Sequence, residues 1–318
     1  MKHSAKITTI LLAMFFVTQL IALFVIAQYQ PITSQVIGED GNITNVTTYN
    51  LPYGMDPPQE VESQSAGSLI ISLIISFTIA IVVIFILMKY HAATLLRLWF
   101  FLVVALAIGI TFNSTILGIA NSSLIAIILA IPLSFYKVFK HNMLLHNITE
   151  LLVYPGVAAI FTVLILSWTD SPIFAIVVIL LLISLYDMYA VWSAGFMQKM
   201  AKYQIEQLKF FTGFFIPYLG KKEKLKLLKA QKSKTKSSKL KKMKVNVAIL
   251  GGGDVVFPAI LAGIVFSIWG IIPAIIISVG ATIALAGLFA LSQKGKFYPA
   301  MPFITAGCLI ALAIAYII

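Results

Sequence analysis

Apolar runs long enough to cross a bilayer recur along this chain from end to end. That recurrence restricts the fold more than any other feature. The runs cover Ile7 to Ala27, Ser68 to Met88, Leu95 to Ile119, Leu124 to Phe139, Asn147 to Trp168, Pro172 to Phe196, Asn246 to Trp269, Ile271 to Ser292, and Pro302 to the last residue. A spanning helix needs about 20 such residues. Composition agrees: 11% of the residues are charged, against about 25% in a soluble domain. The expected fold is an all-α polytopic membrane protein with nine transmembrane helices. A cleaved signal peptide competes for the first run, but its apolar region would span only about 7–15 residues. The run is longer, and no clear small-x-small site precedes Gln28.

The basic residues orient this arrangement. Lys2, Lys6, Lys89, Arg97, Lys137, Lys140, Lys294 and Lys296 lie between runs or at their ends, and the remaining lysines all fall between Gln198 and Val245. Nine helices with a cytoplasmic N-terminus and an outer C-terminus put every one of them on the cytoplasmic side, as the positive-inside rule expects. The net charge of +12 is therefore topology facing anionic lipid or cytosol, and no nucleic-acid partner is expected.

Three parts follow. Residues 1–196 hold helices one to six, with a polar outer loop at 28–67 that carries five acids and no Lys or Arg. Residues 197–245 form a basic cytoplasmic insert. Its stretch from Tyr203 to Leu219 is amphipathic, and Lys221 to Lys244 is a lysine-serine tract. Residues 246–318 hold helices seven to nine. Asn147-x-x-Glu150 has capping-box spacing and is expected to start helix five. Cys308 lies alone in an apolar run and forms no intrachain disulfide.

Two runs carry one aspartate each, Asp187 in the sixth and Asp254 in the seventh, with no Lys or Arg in either. A carboxylate in hydrocarbon is costly and normally faces a partner or a wet cavity. With helix seven starting near Asn246, both aspartates lie roughly 12 Å below the inner surface at about 1.5 Å per residue. The two helices are antiparallel, so the side chains can meet. Two such carboxylates cannot both ionise easily, and the pair retains a proton. One can then act as base on a water while the other protonates a peptide carbonyl. This chemistry needs no metal and no cofactor. A proton or cation pathway uses the same two residues, and the aspartates alone weigh evenly between a protease and a channel or proton-coupled transporter.

Two further elements bear on that choice. Gly251-Gly252-Gly253 precedes Asp254 and allows another backbone to approach, or simply allows close helix packing. Pro299-Ala300-Met301-Pro302 opens the last helix. It is either an ordinary helix start or irregular backbone that pairs with an extended substrate.

At these residues the chain resembles the presenilin and signal peptide peptidase clan of intramembrane aspartyl proteases. Tyr186-Asp187 matches its Tyr-Asp motif, Gly251-Gly252-Gly253-Asp254 its Gly-x-Gly-Asp motif, and Pro299-Ala300-Met301 its Pro-Ala-Leu motif, with methionine for leucine. Order, span number and the long insert are also similar. The Ala190-Val191 continuation looks like presenilin, while Pro258 is closer to the peptidase branch. The compact length and lysine-rich insert look most like microbial (archaeal) presenilin homologues, which implies a prokaryotic cell membrane. The resemblance implies an endopeptidase with Asp187 and Asp254 as the catalytic dyad. Tyr186, Gly251, Gly253, Pro299, Ala300 and Met301 would support the site or hold substrate. Transmembrane protein substrates and the lipid bilayer are the implied partners, with the oligomeric state, including a homo-oligomer, left open. In presenilins the insert blocks the site until autoproteolysis.

Overall fold

The computed structural model describes residues 5–37, 43–55, 66–90, 93–140, 142–192, 212–218, 246–292 and 298–318. Within them lie helices α1 (Ala5–Gln28), α2 (Ala66–Lys89), α3 (Ala93–Thr115), α4 (Ser122–Phe139), α5 (Met143–Trp168), α6 (Pro172–Trp192), α7 (Gly252–Trp269), α8 (Ile271–Leu291) and α9 (Met301–Ile317). Eight of the described helices are long and apolar enough to cross a membrane; α9 is shorter. The chain is an all-α, multi-pass integral membrane protein.

Two small antiparallel sheets accompany the helices. β1 (Ile32–Ile37) pairs with β2 (Ile43–Thr48), so part of the expected outer loop is a hairpin. β3 (Gly213–Tyr218) pairs with β4 (Asn246–Gly251), with Gly213 opposite Gly251 and Phe215 opposite Ile249.

β3 and β4 correct two expectations. Residues 213–218, read as part of an amphipathic stretch, are extended rather than helical. Helix seven does not begin near Asn246: residues 246–251 are strand, and α7 starts at Gly252. Pairing with β3 satisfies backbone groups that a helix would have used internally. Asp254 therefore sits in the first turn of α7, not two turns inside it, and the equal-depth argument does not hold in that form. Most of the amphipathic stretch, the lysine-serine tract 221–244 and the expected tail of helix six at 193–196 lie outside the described residues.

Helix five also starts earlier than expected. Asn142, not Asn147, is the N-cap, and its Oδ1 accepts the N–H groups of Leu144 and Leu145. Helix three ends at Thr115, before a turn in which Gly118 and Asn121 take positive φ. That conformation is cheap for glycine and tolerated by asparagine.

Without a hydrophobic drive between helices in lipid, close packing and interhelical hydrogen bonds hold the bundle. α8 and α9 cross at Gly280, where an added Cβ would come within 2.5 Å of Ala311 Cβ. α1, α5 and α7 form the interior, with Phe15, Ile26, Ala158, Ala159, Ile260 and Ile264 almost fully buried. Tyr29, just past α1, donates to the Ile110 carbonyl at 2.8 Å and accepts from Asn113 Nδ2 at 3.0 Å. Burial pushes its phenol up to about 12, with the Asn113 bond opposing. α2 lies at the edge of the bundle beside α6, and most of its described side chains are exposed.

Candidate active site

Both aspartates stand near helix ends that gather on one side of the bundle. Asp187 lies in the last turns of α6, and its residue is only 6% exposed. Asp254 is half-buried in the first turn of α7. The two carboxylates are close enough to interact electrostatically.

Each carboxylate is met by backbone donors. Asp187 Oδ2 accepts the Met301 N–H at 3.1 Å, and the Ala300 N–H also bonds to the carboxylate. The first N–H groups of a helix have no partner within it and carry partial positive charge. The start of α9 thus offers Asp187 an anion-binding end. Asp254 is bonded by the Gly251 N–H at the β4–α7 junction. Pro258 has no N–H to give the Asp254 carbonyl, so α7 lacks one helical bond directly at this residue.

Of the two readings of the Pro-Ala-Met element, the described residues form the helix start, with Ala300 as N-cap and Pro302 in the first turn of α9. Two of its N–H groups are already bound to Asp187. Pro299 and Met301 are buried and Ala300 is half-buried against the core. Tyr186, beside Asp187, is 46% exposed.

The three glycines divide by what surrounds them. A Cβ on Gly251 would lie 3.1 Å from Asp254 Oδ2. One on Gly252 would lie 2.8 Å from Tyr154 Cε1. One on Gly253, which is exposed, would meet only Phe257 at an ordinary 3.7 Å. The close approach falls on Gly251 and Gly252 rather than on Gly253.

Several residues that steady this frame do not figure in the sequence motifs. The Ser184 hydroxyl donates to Thr305 Oγ1 at 2.7 Å, which ties α6 to α9 about one turn from Asp187. Gln19, fully buried in α1, donates through Nε2 to the Val255 carbonyl at 2.9 Å, one residue past Asp254. Tyr154 of α5 lies against Gly252. A polar side chain inside an apolar run is the signal that marks Gln19 and Ser184; nothing local marks Tyr154. A separate crevice of about 530 Å³, lined by Trp269, Ile272 and Tyr316 among others, lies at the opposite ends of α7 and α9 from the aspartates.

No curated protein sequence matches the chain. Two solved structures, both described as a presenilin family intramembrane aspartate protease, superpose on it. One, in space group C222, has a TM-score of 0.54 at 18% identity and covers 96% of this chain and 94% of its own. The other, in space group P2, has a TM-score of 0.56 at 17% identity and covers 96% of each chain. At that identity they establish a shared fold. The family described as signal-peptide peptidase, presenilin aspartyl protease matches residues 43–318. That match takes in both aspartates, the glycine run and the Pro-Ala-Met element, and the chain belongs to this family of intramembrane aspartyl proteases.

Proposed function

We propose that Asp187 and Asp254 are a catalytic dyad that hydrolyses peptide bonds within transmembrane helices of membrane proteins. The observation that carries this reading is the Met301 N–H bond to Asp187, which joins the start of α9 to the end of α6, with Asp254 within electrostatic reach of Asp187. One carboxylate keeps a proton and the other does not. The charged one takes a proton from a water as its oxygen bonds to the scissile carbonyl carbon. The neutral one gives its proton to the carbonyl oxygen. The tetrahedral species then collapses: the C–N bond breaks, the amine nitrogen receives a proton, and the dyad returns to its starting state.

Backbone donors fix both carboxylates, Met301 and Ala300 on Asp187 and Gly251 on Asp254. The dyad shares one proton, and either member can serve as base. Gly251 leaves room for the Asp254 carboxylate. Gly253 and Tyr186 are exposed and available to a substrate helix. Ala300 and Met301 hold Asp187 through their N–H groups, and Pro299 opens the element.

The topology we infer has nine spans, with α9 as the short ninth, a cytoplasmic N-terminus and an outer C-terminus. In this topology 1–196 and 246–318 form one membrane body joined by the basic insert 197–245. The compact length and lysine-rich insert support a prokaryotic, archaeal-type cell membrane.

The test uses the purified chain in detergent with a fluorescent single-pass substrate and an aspartyl-protease transition-state analogue. Cleavage abolished by Asp187→Asn, by Asp254→Asn and by the analogue supports the dyad. Retained cleavage in either variant overturns it. Aspartate-dependent ion flux in liposomes, without analogue binding, would favour a channel or transporter instead.

A further inference from the structure

A second buried polar cluster lies at the α4–α5 end of the bundle, apart from the two aspartates. Lys137 Nζ, from the last turn of α4, is 2.8 Å from Glu150 Oε1 on α5, and neither side chain is exposed. Removing a lone charge from water is costly, and pairing only offsets this. An ion pair kept in such a place is weak evidence for stability, so its use must be sought in geometry.

Its geometry is directed at β3. Glu150 Oε1 accepts the Gly213 N–H at 3.2 Å. His146 Nε2 donates to the Gly213 carbonyl at 2.8 Å and lies 3.3 Å from Glu150. Asn147 donates to the Phe215 carbonyl at 2.7 Å and accepts the Phe215 N–H at 2.9 Å. Side chains of one helix thus bind one edge of β3 as a neighbouring strand would. The other edge of β3 pairs with β4.

β4 runs straight into α7 through Gly251, so the register of β4 is also the position of Gly251 and Asp254. Tyr154, one turn beyond Glu150, closes the same frame. Its ring packs edge-on against Phe214 at 5.4 Å and against Gly252 at the start of α7. Its hydroxyl lies within electrostatic reach of both Glu150 and Asp254.

We infer that Glu150 and Asn147 are positioning residues for Asp254, acting through β3 and β4, and that Lys137 is the counter-charge that lets Glu150 do so while buried. This inference rests on the dyad reading above. It makes the placing of the dyad depend on a clamp on the neighbouring helix α5. Glu150 acts by accepting the Gly213 N–H, and the charge itself is secondary.

The test compares the full chain with Asn147→Leu, Lys137→Met, and Lys137→Met combined with Glu150→Gln. Two readouts are taken: steady-state cleavage of a single-pass substrate, and amide hydrogen exchange across 246–258 and across α8. Asn147→Leu breaks the clamp and keeps the charges. We expect kcat to fall about tenfold with KM changed less than about twofold, and exchange across 246–258 to quicken while α8 stays protected. Lys137→Met leaves Glu150 uncompensated, and the same pattern is expected. The double variant keeps an acceptor for Gly213 without a buried charge, so it should recover to within about threefold of the parent.

Parental kcat and exchange in Asn147→Leu would overturn the proposal. So would a double variant no better than Lys137→Met, or equal loss of protection in α8, which would mark a general structural role. A parent that does not cleave would count against the dyad reading alone, because the exchange contrast still decides whether the clamp orders the start of α7.

Discussion

Asp187 and Met301 meet across 3.1 Å, the carboxylate of one accepting the backbone N–H of the other. The bond joins the end of α6 to the start of α9. It depends on the main chain of Met301 and not on its side chain. Met301→Leu, a volume-conserving swap, should therefore leave cleavage within about twofold. Met301→Pro removes the donor and also disfavours the helical conformation observed at Ala300. A bond to a charged group is worth about 1.5–3 kcal/mol, so kcat should fall at least about tenfold. Cleavage rates of the two variants in detergent check this; equal rates would show that the N–H does not matter.

The glycine run offers a sharper contrast. Gly251→Ala puts a methyl 3.1 Å from Asp254 Oδ2, whereas Gly253→Ala puts one in ordinary contact with Phe257. The first should cut kcat about tenfold or more and the second less than about threefold, since a contact that tight obliges a neighbour to shift and a misplaced group is costly to rate. Single-turnover cleavage by the two variants measures the difference. The reverse order would mean that Gly253 meets the substrate and that crowding at Asp254 is secondary.

What the sequence makes visible here follows from cost. Asp187 and Asp254 stand out because a carboxylate in an apolar run needs a partner whatever the fold. The setting of Asp254 is less visible. Asn246–Gly251 is apolar enough to continue a helix, and it becomes strand because β3 lies beside it, bound in turn by α5. No local pattern encodes that pairing. Asn147 and Glu150 misread for the same reason. Their spacing fits a cap, but Asn142 takes that role, and their partners Phe215, Gly213 and Lys137 are remote or on another helix. Pro299-Ala300-Met301 is recognisable as a helix start, but only the fold brings its N–H groups to Asp187.

Tyr29 gives a prediction in alkaline solution. Its phenol is raised from 10.0 to about 12, chiefly by burial. A raised folded value favours the neutral form in the folded protein. The stability this contributes is complete below pH 10, where the phenol is neutral in both states. It is lost as pH rises from 10 toward 12, because the unfolded chain ionises first. The loss amounts to about 3 kcal/mol at about 1.4 kcal/mol per unit. Tyr29→Phe lacks the titration. Thermal unfolding in detergent should find the parent more stable than Tyr29→Phe near pH 9, and the gap should narrow toward pH 12. Parallel pH curves would mean that Tyr29 is solvated in the folded state.

The Ser184–Thr305 bond tests how α6 and α9 are held in register. The two hydroxyls meet at 2.7 Å, and both residues are buried. Hydrogen bonds between helices in lipid average about 0.6 kcal/mol and reach about 1.7, so the stability cost of Ser184→Ala should be small. The cost to catalysis should exceed it, because Ser184 lies about one turn before Asp187 and Thr305 about one turn after the Met301 donor. A double-mutant cycle with Ser184→Ala and Thr305→Val separates the two effects. In unfolding, the coupling should stay near about 1 kcal/mol or below. In kcat, either single variant should lose about as much as the double, because either one releases the same contact between Asp187 and the start of α9. Independent, multiplicative losses in kcat would show that the two residues act on the site separately, and that the α6–α9 register is set by packing around Ile304 and Cys308 instead.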